Sequence, residues 1–189
     1  WESWPTDLSA NEIHEVVGAL LARQVTLSRQ LAESPAIWNG HTAPLVLRAM
    51  ADVYITMAWV LKSPKEYSQE FISYGCGQLK LLTEHRKTQI SNREPTDDER
   101  MIIDSSEAWI NEQKWTFLTD VNVGSWSGKS TRDMADEAGC LEFYNYVYSP
   151  FSACTHSMWH HVGLYNLQQC VNPLHQYNHV PKDPQLQID

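Results

Sequence analysis

The chain has 189 residues, 42% of them apolar, with eight Trp, eight Tyr and four Phe, which excludes a disordered protein and gives length enough for one domain with a real core. Its 23 acidic and 14 basic side chains leave a net charge of −9, which excludes a broad nucleic-acid footprint, because phosphate contact needs clustered Lys and Arg. Cys76, Cys140, Cys154 and Cys170 form no CxxC and are too sparse for a disulfide framework, so they read as reduced, mostly buried thiols.

In chain order, residues 1–7 carry Trp1, Trp4 and Pro5 and read as an arm laid against a helical body. Ser9 with Glu12 forms a capping box, and Ile13, Val17, Leu20, Leu27 and Leu31 then recur at helical spacing. Ser34-Pro35 ends that helix and Asn39-Gly40 marks a turn. Residues 42–62 are almost wholly apolar, the pattern of a helix at the centre of a bundle, and until Lys62 their only charges are Arg48 and Asp52. Four residues apart, these two share one helix face, and buried there they must pair. So costly a pair in mid-segment argues against a membrane span, and the absence of any Asn-x-Ser/Thr acceptor agrees with a cytoplasmic protein.

Ser63-Pro64-Lys65-Glu66 reads as a second capping box, opening a helix to about Asn92 whose Gly75 and Gly77 suggest a close approach or a kink. Thr96-Asp97-Asp98-Glu99 is a third, opening a helix to about Leu118. Residues 119–130 form a loop. Gly124 to Ser130 within it looks like a phosphate loop, but has one residue too few between its glycines and no strand before it. A short helix from Ser130 to Ala138 follows, stopped by Gly139. Tyr144 and Tyr148 lie on another, and Ser149-Pro150 starts a last helix to about Val171. The expected fold is all-α, a single-domain bundle over residues 1–176 with about five to seven helices, followed by an extended tail over 177–189.

On the last helix Ser152, His156 and His160 are spaced by four, and Tyr148 continues the stripe backwards. Facing the central helix, the stripe would gather Arg48, Asp52, Tyr148, Ser152 and His156 in one internal pocket. Arg48 could then hold an anion and His156 act as general acid or base, its tautomer fixed by Asp52 or Ser152. The same residues could equally satisfy one another and only fix helix register. His156 and His160 also have the spacing of a chelating pair, but no Glu-x-x-His accompanies them, and no metal or other cofactor is expected.

These residues carry a resemblance. Arg48-x3-Asp52 resembles the Arg-x3-Glu of a family of uncharacterised bacterial helical proteins, with Asp52 in place of the usual Glu. Trp126-x-Gly128-x-Ser130-x-Arg132, then Ala135 and Gly139, is similar to that family's loop and short helix. Tyr144-x3-Tyr148-x3-Ser152-x3-His156 matches its terminal signature. The family is a domain of unknown function, so the resemblance implies a fold and a polar site without a reaction. The last signature is also distantly similar to HEPN domains of RNA-cleaving toxins and defence proteins, whose Arg-x4-6-His uses Arg for phosphate and His for the proton. Ser152 stands where that Arg would fall, so Arg48 would supply the cation from another helix.

The leading expectation is an internal pocket for a small anionic or nucleotide-like ligand. A metal-independent RNase with RNA as partner and a non-enzymatic interaction module stand as alternatives. Whether the chain is an enzyme, and whether it forms a homodimer, stay open at this point.

Overall fold

The computed structural model describes residues 8–124, 127–175 and 178–182. Among these the chain is all-α, as expected: α1 (Asn11–Glu33), α2 (Ala43–Val60), α3 (Pro64–Ile90), α4 (Asp97–Phe117), α5 (Thr131–Glu137), α6 (141–155) and α7 (Trp159–Tyr165), with one small β-hairpin. The N-terminal arm and Trp126 of the loop motif lie outside the described residues. The described residues gather into two compact units. One takes the chain up to Ala19 together with Trp59–Ser130; the other takes Leu20–Ala58 and the chain from Thr131 onward.

In the first unit α3 and α4 form a helical hairpin. Thr96 starts α4 with the expected reciprocal box: its hydroxyl accepts the Glu99 N–H, and Glu99 accepts the Thr96 N–H. Arg93 donates to both Glu99 oxygens, and these bonds hold the Glu99 carboxyl down to about 2. A carboxylate depressed from its ordinary 4.5 stabilises the fold fully above that value and loses its contribution as pH falls towards 2. Acid unfolding of wild type should therefore show a component between these limits that Glu99→Gln lacks, read by circular dichroism against pH.

The second box forms differently: the Ser63 hydroxyl donates to Glu66 at 3.1 Å and caps no backbone N–H. In the middle of α3, Gly75 faces open space, whereas Gly77 lies against the backbone of Asn122. The close approach expected of these glycines is thus real at one of them, and the visitor is a loop. Buried Trp59 stacks on Tyr67 with ring centroids 3.8 Å apart, and Cys76, Thr83, Ile110 and Phe117 are buried nearby in sequence along α3 and α4.

In the second unit Asn39 organises the start of α2, its side-chain oxygen accepting the N–H groups of His41 and Thr42. Only part of α2 is sealed. Ala51, Val53 and Ile55 are buried, but Leu45 and Tyr54 are exposed, so the expectation of a helix enclosed all round is corrected. By length and composition alone, α2 is the one helix among the described residues apolar enough to cross a membrane. α5 ends at Gly139, which takes φ +74° while the Cys140 N–H bonds back to Ala135, a glycine stop as expected.

The last helix departs from expectation at both ends. Residues 141–155 run as one helix through a π-turn at Tyr144–Tyr148, where the Ser149 N–H reaches back to Tyr144. The widened turn accommodates Pro150, which has no N–H for the preceding turn. The helix then stops at Thr155. Ser157 adopts φ +50°, and Met158 opens the separate α7. The expected continuation to Val171 is therefore broken. Beyond α7, Leu167–Gln169 pairs antiparallel with His179–Pro181, Gln168 opposite Val180. Part of the expected tail is thus a strand, and three-residue strands are too short to leave an alternation in the sequence.

Candidate functional site

The Arg48–Asp52 pair exists as the one-turn spacing requires. Arg48 donates from one terminal nitrogen to the Asp52 carboxylate and from the other to the Tyr148 hydroxyl. Its Cζ also lies over the Tyr148 ring, 3.4 Å from the centroid. Tyr144 stacks on Tyr148 in turn, centroids 4.7 Å apart, because the π-turn carries both rings on one side of α6. Exposure is uneven. The Arg48 side chain is 12% exposed and Asp52 47%, so the cation is inside and its carboxylate faces water.

Burial lowers the Arg48 pKa from its ordinary value, while Tyr148 and Tyr144 act to raise it. The group stays cationic, since guanidinium does not deprotonate in proteins. Its third kind of donor, Nε–H, is buried and has no acceptor among the described residues. A charged donor left bare inside a protein is costly, and such a group ordinarily marks a water or ion that completes it.

Of the expected site residues, the structure brings together Arg48, Asp52 and Tyr148. Ser152 is half-buried on α6, and its side chain makes no hydrogen bond to the cluster. His156 is exposed just past the end of α6, and its ring shares no hydrogen bond or ion pair with Arg48 or Asp52. His160 is exposed on α7, beyond the break at Ser157, so His156 and His160 do not share one helix face and the chelating geometry is lost. Among the described residues no three His, Cys, Asp or Glu side chains gather as a metal site.

Tyr144 belongs to the cluster beyond the expected residues, and its four-residue spacing to Tyr148 is the sequence signal for it. A second aromatic group also lies beyond the expected residues. The rings of His41, His161 and Tyr165 meet with centroids 4.7–5.7 Å apart, His41 in T-shaped contact with the other two and His161 tilted over Tyr165, and the Cys154 thiol donates to the His41 carbonyl at 3.1 Å. The His161 pKa is lowered by burial and by His41 and His160. No periodicity joins position 41 to positions 154–165, so nothing in the sequence announces that group.

The class of protein follows: an all-α chain with a mostly buried arginine held between an acid of its own helix and a tyrosine of another. The chain belongs to DUF5677, a family of unknown function, whose model matches residues 14–169 and so includes Arg48, Asp52, Tyr144 and Tyr148. No curated protein and no solved structure gives a significant match.

Proposed function

We propose that the chain is a binding protein for a small oxyanion-bearing ligand, a phosphate or carboxylate compound, with Arg48 as its anchor. The observation that carries this reading is the bare Nε–H of Arg48. Two of the three guanidinium nitrogens are committed to Asp52 and Tyr148, which fixes the plane and aims the remaining donor. A ligand oxygen accepting from Nε would complete the fork, and the half-exposed Asp52 marks the side of the cluster nearest water.

The alternative of RNA cleavage needs a proton-transfer group beside the anion, and exposed His156 shares no hydrogen bond or ion pair with Arg48. A second reading does have an observation in its favour. Asp52 and Tyr148 already neutralise and orient the guanidinium, as a clamp that only pins α6 to α2 would do.

Calorimetric titration of the whole chain with inorganic phosphate and with AMP separates the two. The ligand reading predicts saturable binding with Kd on the order of 1 mM or tighter, weakened at least about tenfold in Arg48→Lys, which keeps the charge but loses the planar fork. Absence of binding, or binding indifferent to Arg48→Lys while that variant melts earlier than wild type, would leave the clamp as the role of the cluster.

A further inference from the structure

A cleft of about 240 Å³ opens between α3 and α4, lined by Lys80, Thr83, Glu84, Glu107, Asn111 and Lys114 among others. The positions are the informative part. Residues 80, 83, 84 and 87 recur on one face of α3, and 107, 110, 111 and 114 on one face of α4, the spacing by which two helices meet. Paired helices ordinarily fill such positions with Leu or Ile. Here most are polar.

The charges are sorted along the cleft. The Lys87 ammonium donates to Glu84 at 3.1 Å and to Glu107, joining the end of α3 to the first half of α4. At the other end Lys114 pairs with Asp120 at 3.2 Å. The Asp120 carboxyl is held below its ordinary range by the Val121 N–H and by Lys114, with Lys80 adding to the effect. Lys80 itself and the Asn111 amide make no hydrogen bond among the described residues. One end therefore has two ammonium groups against one exposed carboxylate, and the other has two carboxylates against one ammonium. Each carboxylate has acceptor sites beyond the one that Lys87 takes.

The wall of the cleft is fixed in advance. The Ser73 hydroxyl donates to the Asp120 carbonyl at 2.5 Å and the Asn122 N–H to the Ser73 carbonyl at 3.0 Å, so the loop bearing Val121 is tied to α3. We propose that this cleft is a second binding site, for a small zwitterion whose carboxylate meets Lys80 and Lys114 and whose ammonium meets Glu84 and Glu107. Lys80 and Glu84 are four residues apart on α3, about 6 Å along the axis. A cleft of about 240 Å³ has room for a small molecule of this kind. The site uses no residue of the Arg48 cluster and stands or falls separately from it.

The test is calorimetric titration of the whole chain with 5-aminopentanoate, pentanoate and pentylamine. The double-ended probe should bind at least about tenfold tighter than either single-ended one. Lys80→Met should weaken 5-aminopentanoate and pentanoate about tenfold with an unchanged thermal midpoint, since Lys80 is exposed and unbonded. Glu84→Gln should weaken 5-aminopentanoate and pentylamine and leave pentanoate alone. No saturable binding of 5-aminopentanoate, equal binding of 5-aminopentanoate and pentanoate, or binding untouched by both variants would overturn the assignment.

Discussion

Alanine at position 77 should destabilise the protein by about 2–4 kcal/mol, while alanine at position 75 should stabilise it by about 0.5–1 kcal/mol. The two glycines sit two residues apart in the same helix, and propensity alone would favour alanine at both. Their surroundings reverse one of the signs. A Cβ at Gly77 would stand 1.8 Å from the Asn122 carbonyl oxygen, 2.4 Å from its carbon and 3.0 Å from the Val123 nitrogen. All three are backbone atoms, so no side-chain rotation relieves the clash. At Gly75 nothing comes within 4 Å. Relief at position 77 requires the loop to lift, breaking the Ser73 bonds to Asp120 and Asn122. Urea denaturation of the two variants measures the effect, and a Gly77→Ala midpoint close to wild type would contradict the packing. Lifting the loop also removes Val121 from the α3–α4 cleft, so Gly77→Ala should weaken 5-aminopentanoate binding as well.

Removing Asp52 should cost more than removing Arg48, although the two form one pair. Asp52→Ala leaves a guanidinium that is nearly nine-tenths buried without its counter-charge, and about 2–3 kcal/mol is expected. Arg48→Met leaves a carboxylate that is already half in water and keeps an apolar filler of similar length, so about 1–2 kcal/mol is expected. Tyr148→Phe removes one hydrogen bond to a charge and keeps the ring, a loss of about 1–2 kcal/mol. The double variant Asp52→Ala with Arg48→Met should fall well short of the sum, because the second change removes the stranded charge left by the first. Equilibrium unfolding of the cycle reads all of this. A larger loss for Arg48→Met than for Asp52→Ala would mean that the ring contact with Tyr148, and not the ion pair, carries the energy.

The parts of this architecture visible in the sequence are those set by local chemistry. Thr96 with Glu99, Gly139 after α5 and the one-turn spacing of Arg48 and Asp52 each act within a few residues, and each appears in the structure. Tyr148 joined the site because it shares a spacing of four with Ser152 and His156. That spacing failed further on, because the break after Thr155 rests on Ser157, a non-glycine residue in a left-handed conformation with no glycine or proline to signal it. The break separates His160 from His156, while His156 keeps its N–H bond to the Ser152 carbonyl and lies exposed at the end of α6, two turns beyond Tyr148. The cleft between α3 and α4 left a signal that went unread. Lys and Glu at helix-facing positions look like a solvated surface until the partner helix is known.

The side-chain ¹H–¹⁵N resonance of Arg48 Nε, assigned by its loss in Arg48→Lys, should move saturably as phosphate is added, with the same Kd that calorimetry gives. A resonance that stays in place at phosphate concentrations saturating the calorimetric signal would show that the anion binds elsewhere and that Arg48 is only a clamp between two helices.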